Sequence, residues 1–255
     1  MIYVFRALFA IFCTGVCAAL AIPAALVDGR GDSMVWIARR WARWILAACG
    51  VRVRATGLEN VTASAPQVFM SNHQSLFDIV ALVATLPVSF RFIAKKELTR
   101  VPVFGWALVL TGHVIVDRGD RRDAFASLER AAERIRSGTN VIIFPEGTRS
   151  ETGELLPLKS GGFQLALDSK VPIVPVTVSG SRSITPKNSL RIESGVIGVA
   201  YGRPIPTAGL RDSDRNDLKR RVRSAIQQGF DPLLQAPRGS GEPADARLRR
   251  RSGVA

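Results

Sequence analysis

The sequence predicts an α/β domain, a sheet flanked by helices, preceded by a hydrophobic N-terminal two-helix membrane anchor. Three observations carry this expectation. Residues 7–27 hold no charge, and a helix over that run would be about 31 Å long, roughly one bilayer core. From Val51 onward, short β-branched runs alternate with helical periodicities, the order of a mainly parallel sheet with some antiparallel additions. Glycine, proline and charge collect where several of these runs end, which is where α/β folds keep their chemistry.

Arg6 precedes the apolar run and small residues end it, a pattern shared with cleaved signal peptides. The next twenty or so residues argue for retention. Residues 28–32, Asp-Gly-Arg-Gly-Asp, form a turn, and Ser33 is placed to cap a second helix running through Cys49. That helix carries Trp36, Trp41 and Trp44, three of the chain's four tryptophans, beside Arg39, Arg40 and Arg43. Tryptophan with arginine on an amphipathic helix is the composition of a membrane interface. A re-entrant hairpin fits this pattern as well as a true span does. Arginine after the first helix puts the remainder on the cytoplasmic side, so the expected location is the inner membrane.

Residues 51–54 alternate with period two, and 67–70 read as a short buried strand leading into an apolar helical pattern at 79–83. Strands follow at 90–93 and 114–116, with a short helix near 103–110 between them. An amphipathic helix at 122–136 ends at Gly138, and 141–144 is a buried strand. A helix at 162–168, strands at 173–178 and 197–201, and a basic helix at 214–228 complete the pattern. Residues 236–255 are rich in proline, glycine and arginine, a composition that predicts disorder. The expected organisation is an anchoring hairpin over 1–50, an α/β domain over 51–230 and a basic tail over 231–255.

The net charge of +14 implies an anionic partner, either nucleic acid or a membrane surface. Cys13, Cys17 and Cys49 all fall in the apolar N-terminal region, which suits a reducing compartment. Two histidines and no cysteine cluster argue against a zinc site.

The stretch that organises the rest is residues 69–78, Phe-Met-Ser-Asn-His-Gln-Ser-Leu-Phe-Asp. Two residues five apart on one helix point about 140° away from each other, so His73 and Asp78 meet only if the chain bends between them. With Ser75 as a helix N-cap, His73 lies in the preceding loop and Asp78 in the first turn. There the aspartate can accept from one imidazole nitrogen and leave the other free to take a proton. The plainer alternative is that Asp78 only complements the helix dipole and that Asn72 or Ser75 only caps. Four further segments carry charge, glycine or proline at strand ends: 94–98, 112–118, 144–150 and 171–176. Of these, Phe144-Pro145-Glu146-Gly147-Thr148-Arg149 reads as a buried strand breaking into a glycine turn. Such a turn can offer N–H groups to an anion, with the Arg149 fork beside them; a turn with a surface salt bridge is the plainer reading. His113 reads as a packed histidine, and Pro172 and Pro175 as structural.

Taken together, these segments resemble the lysophospholipid acyltransferase family. Residues 72–78 match its H-x4-D motif, and 112–118, 144–150 and 171–176 match its second, third and fourth motifs in order. The resemblance covers about residues 35–230. It implies a glycerolphosphate-acyltransferase-like fold and transfer of an acyl chain from acyl-CoA or acyl-carrier protein to the sn-2 hydroxyl of 1-acylglycerol-3-phosphate, giving phosphatidic acid. It also implies that His73 is the general base, that Asp78 orients it, and that Glu146, Gly147, Thr148 and Arg149 bind the acceptor's glycerol phosphate. Lys95 and Arg118 are weaker candidates for the same anionic group. No cofactor beyond the acyl donor is implied. No acyl-enzyme is implied either, and the residues agree, since there is no G-x-S-x-G elbow and no cysteine near the motifs. Two other readings stand beside this one: the same chemistry on another lysolipid such as a lyso-ornithine lipid, or a non-catalytic basic module for membrane or nucleic acid. No RNP, helix-turn-helix or zinc-finger signature supports nucleic acid. The sequence does not give the oligomeric state.

Overall fold

The computed structural model describes residues 2–27, 32–117 and 121–235. Seven strands form one sheet: β1 (Val51–Thr56), β2 (Val68–Ser71), β3 (Phe90–Lys95), β4 (Val114–Val116), β5 (Asn140–Ile143), β6 (Ile173–Ser179) and β7 (Gly195–Tyr201). Their order across the sheet is β1-β7-β6-β2-β5-β3-β4. β2, β3, β4, β5 and β6 run parallel to one another, β7 pairs antiparallel to β6, and β1 runs parallel to β7. The carboxyl ends of β2, β5 and β3 therefore share one edge.

The central strands are buried along their whole length, as a sheet covered on both faces requires. Successive residues alternate between two cores. Phe69, Ile142 and Val174 face one side, against α2 (Asp32–Cys49) and α3 (Phe77–Thr85). Val68, Met70, Val141 and Ile173 face the other, against α5 (Arg121–Arg136), α6 (Ser160–Ser169) and α8 (Arg215–Gln228). Phe69 and Phe163 are fully buried, and each such side chain contributes about 1.5–3 kcal/mol relative to exposure.

The helices differ in detail from expectation. α2 begins at Asp32, so Ser33 lies inside its first turn instead of ahead of it. Its inner stripe, Met34, Val35, Ala42, Ile45, Leu46 and Cys49, joins the core of the sheet and α3. Arg39 donates to the carbonyls of Leu86 and Val88 just past the end of α3. The packing therefore runs straight across residue 50, because an amphipathic helix buries its apolar stripe against whatever apolar surface is adjacent. Trp36 and Trp44 stay exposed.

α1 (Ile2–Val27) is long and apolar enough to cross a membrane by length and composition. One of its faces is turned inward: Cys13, Cys17, Ala18 and Ala21 are buried, Thr14 accepts from Trp41 Nε1, and Arg6 donates to the carbonyl of Ile192. The opposite face leaves Phe5, Leu8, Phe12 and Leu20 exposed. Three short helices complete the fold: α4 (Phe104–Leu110), α7 (Ser181–Ile184) and α9 (Pro232–Gln235). Residues 28–31, Arg118 and most of the expected tail, 236–255, lie outside the described residues.

Candidate active site

β2 ends at Ser71, and the loop after it is held on every side. Asn72 bridges to β6 twice: its amide donates to the Val178 carbonyl and accepts from the Val178 N–H. Ser75 donates to the Thr185 carbonyl and accepts from the Phe77 N–H. Gln74 donates to the Gly153 carbonyl. The cap at Ser75 is thus present, although regular α-helix begins two residues later at Phe77 because the first turn closes with i→i−3 bonds.

Within this frame Asp78 does two jobs with one oxygen. Its Oδ2 lies 2.8 Å from His73 Nδ1 and also accepts the N–H groups of Gln74 at 2.6 Å and Ser75 at 2.8 Å. The bond to Ser75 is the reciprocal half of a capping box, so the carboxylate that caps the helix also contacts the histidine. The bend that brings a five-residue spacing together is built by the same carboxylate that uses it. Asp78 is fully buried, and the His73 side chain is 14% exposed. A carboxylate acceptor at Nδ1 places the proton there and leaves the lone pair on Nε2. The imidazole stacks on Phe144, with centroids 4.0 Å apart, and Phe144 stacks in turn on Phe92.

β5 delivers the neighbouring turn. Glu146 is buried, and both its oxygens are taken by backbone: Oε1 accepts the His73 N–H at 2.6 Å and Oε2 the Leu156 N–H at 2.8 Å. Burial pushes its carboxyl above the usual carboxylate range, while the two N–H groups work against that rise. The Ser150 N–H donates back to the His73 carbonyl at 2.8 Å. The loop after β2 and the turn after β5 are therefore laced together by backbone bonds. Gly147 sits at φ +72°, open to glycine and costly for other residues. Thr148 is exposed and Arg149 half-buried, and among the described residues no ion pair holds the Arg149 guanidinium.

The sequence reading missed Lys159. A Cβ on Gly147 would meet Lys159 Cε at 2.9 Å and Nζ at 3.0 Å, so this lysine lies across the glycine turn. Its backbone N–H donates to the Pro145 carbonyl, which fixes it there. It stands ten residues past the turn in a loop of ordinary composition, and only the fold brings it back. Lys95 ends β3 on the same sheet edge and is exposed, paired with Glu97 at 2.8 Å. Arg118 lies outside the described residues. The second histidine, His113, accepts the Phe92 N–H at Nδ1, 3.0 Å away, and is packed as expected. Burial, with the Arg91 cation nearby, lowers its imidazole to about 3.

A histidine bonded to a buried carboxylate at a strand end, next to a glycine turn flanked by Arg149 and Lys159, suits proton removal from an acceptor bearing an anionic group. The acyltransferase family model matches residues 52–179, which span both strand ends. The chain belongs to the acyltransferase family. It is 35% identical over 226 residues to human 1-acyl-sn-glycerol-3-phosphate acyltransferase alpha, covering 88% of this chain and 80% of that protein. It is also 35% identical over 211 residues to the 1-acyl-sn-glycerol-3-phosphate acyltransferase of Saccharomyces cerevisiae, covering 76% and 69% respectively. The fold matches the crystal structure of the 1-acyl-sn-glycerophosphate (LPA) acyltransferase PlsC from Thermotoga maritima. That match has a TM-score of 0.75 at 22% identity and covers 89% of this chain and 95% of that one.

Proposed function

We propose that this enzyme transfers an acyl chain from an acyl thioester, either acyl-CoA or acyl-carrier protein, to the sn-2 hydroxyl of 1-acylglycerol-3-phosphate, giving phosphatidic acid. The observation that carries the reading is the His73–Asp78 pair at 2.8 Å beside the turn at Gly147, in a chain whose relatives are named for this reaction. Family membership displaces the non-catalytic reading.

His73 Nε2 takes the proton as the hydroxyl oxygen bonds to the thioester carbonyl carbon. The C–S bond then breaks, and the departing thiolate receives the proton back from the imidazolium. A general base of this kind contributes about 10²–10⁴-fold. Asp78 holds the ring in the required tautomer and stabilises its charged form. Arg149 offers a fork to the acceptor's phosphate, and Lys159 adds a second cation across Gly147. Thr148, exposed on the same turn, supplies a hydroxyl. Glu146 has both oxygens engaged by backbone, so its part is to position the His73 loop. Lys95 reaches the acceptor only by leaving Glu97. α1 and the exposed tryptophans of α2 hold the protein on the inner membrane, with the sheet on the cytoplasmic side.

The test is an acyl-transfer assay on purified protein with both donor types and three acceptors: lysophosphatidate, monoacylglycerol and lyso-ornithine lipid. The proposal expects lysophosphatidate to have the highest kcat/KM of the three. A higher value for lyso-ornithine lipid would reassign the acceptor.

A further inference from the structure

β3 hands over to a segment that the reaction does not use. A 3-10 turn (Lys96–Arg100) leads through Val101, Pro102 and Val103 into α4. Gly105, Ala107 and Leu108 of α4 are buried. Outward, the segment exposes Leu98, Val101, Trp106, Val109 and Leu110, with Trp106 at 60%. Scattered exposed leucines need no explanation, but five large apolar side chains within 13 residues, a tryptophan among them, form a patch of the kind that marks a contact surface.

The patch is built to be held out. Val103 takes φ +62° and ψ −56°, and the Phe104 N–H closes onto the Pro102 carbonyl at 2.7 Å, a strained γ-turn at a β-branched residue. The Gly105 N–H donates to the Val101 carbonyl at 2.7 Å, and a Cβ on Gly105 would stand 2.2 Å from the Thr99 carbonyl oxygen. Only glycine allows this approach. A backbone shaped at that cost presents its apolar side chains to water in the isolated chain.

Two observations identify what covers them. α4 packs against α1, whose open face exposes Phe5, Leu8 and Phe12, so the apolar patch continues a second apolar surface. The start of the segment is basic: Lys95, Lys96 and Arg100 are exposed, with Lys95 paired to Glu97 and Lys96 to Asp117. Apolar side chains with tryptophan, rimmed by Lys and Arg, are the composition of an element lying in the headgroup boundary of an anionic bilayer.

We propose that residues 98–110 are a second membrane-docking element, inserting Leu98, Val101, Trp106, Val109 and Leu110 among the acyl chains beside α1. The inference rests on reading α1 as lipid-embedded. Because the segment continues from the carboxyl end of β3, it holds the edge that carries His73 and Arg149 at the lipid surface. The anchor then sets the orientation of the site as well as its location.

Brominated-lipid quenching tests this on the full chain. Trp36, Trp41 and Trp44 are replaced by phenylalanine, leaving Trp106 as the only tryptophan. The protein is bound to phosphatidylcholine/phosphatidylglycerol vesicles with or without bromine on the acyl chains. Should that chain fail to fold, subtracting the emission of Trp106→Phe from that of wild type isolates the same signal. A Phe5→Trp variant in the tryptophan-free background reports α1 separately. The expected result is quenching of Trp106 by brominated chains. Quenching at position 5 without quenching of Trp106 overturns the docking element and leaves the α1 anchor standing, whereas quenching at neither overturns both. A Trp106 already shielded from iodide without vesicles, in a chain that sediments as a dimer, also overturns it, because a second copy then covers the face.

Discussion

The chain's two histidines flank two parallel strands of one sheet, β2 and β4, and have opposite surroundings. His73 follows β2, faces a buried carboxylate through Nδ1, and keeps its lone pair on Nε2. His113 precedes β4, accepts a backbone N–H at Nδ1, and so carries its proton on Nε2, with the Arg91 cation nearby. One side chain thus appears in both neutral tautomers within a single sheet. A buried carboxylate faces the His73 ring, while burial and the Arg91 cation lower His113 to about 3 and keep it neutral. Residue type alone does not distinguish the two rings; their surroundings do.

The comparison breaks most sharply at His73 itself. His73→Ala should lower kcat by about 10²–10⁴-fold, the usual contribution of a positioned base, while His113→Gln changes kcat little. A steady-state assay on both variants, each checked for native circular dichroism, decides this. Next in size is Arg149→Ala. Charge-assisted bonds are worth about 1.5–3 kcal/mol, so kcat/KM for lysophosphatidate should fall by roughly 10- to 150-fold. The KM for the acyl donor should stay near wild type, and Arg149→Lys should recover only part. Titrating each substrate against the variants reads the split.

Smaller again is Glu146→Gln, which keeps one oxygen acceptor and loses the other. If Glu146 positions the His73 loop, kcat should drop by about tenfold, on the scale of one charge-assisted bond, with acceptor KM hardly moved. A rise in acceptor KM at unchanged kcat would make it a phosphate ligand instead. The smallest effect concerns His113 and stability. Its folded pKa, about 3, lies below the unfolded value of 6.5, so the unfolded chain binds more protons between those limits. The contribution is fully present above pH 6.5 and is lost as pH falls toward 3. Melting temperatures across that window should fall less steeply with acid in His113→Gln than in wild type.

Much of this was legible in the sequence, and the misses have physical causes. Seven strands and their order in the chain follow from β-branched runs and turn residues. The His73–Asp78 contact follows from a five-residue spacing that no straight helix can close. Two things needed the fold. α2 reads as an interface helix because Trp36, Trp44 and its arginines dominate the composition, yet Met34, Ile45 and Leu46 bury themselves in the core. Arg39 reaches the carbonyls of Leu86 and Val88, some fifty positions on, and no periodicity encodes such a tertiary bond. The same holds for the roles within the turn after β5. Glu146 reads as a ligand from its place in the motif, while only the fold shows both its oxygens on backbone N–H groups and Lys159 returning across Gly147.

The most direct test of the central claim is the ring-nitrogen spectrum of the protein labelled with ¹⁵N-histidine, recorded at neutral pH. With two histidines in the chain, His113→Gln leaves His73 alone and so assigns both. The expected spectrum shows His73 protonated on Nδ1 with an unprotonated Nε2, and His113 protonated on Nε2 with an unprotonated Nδ1. Two rings in the same tautomer, or a His73 whose lone pair sits on Nδ1 facing Asp78, would contradict the account.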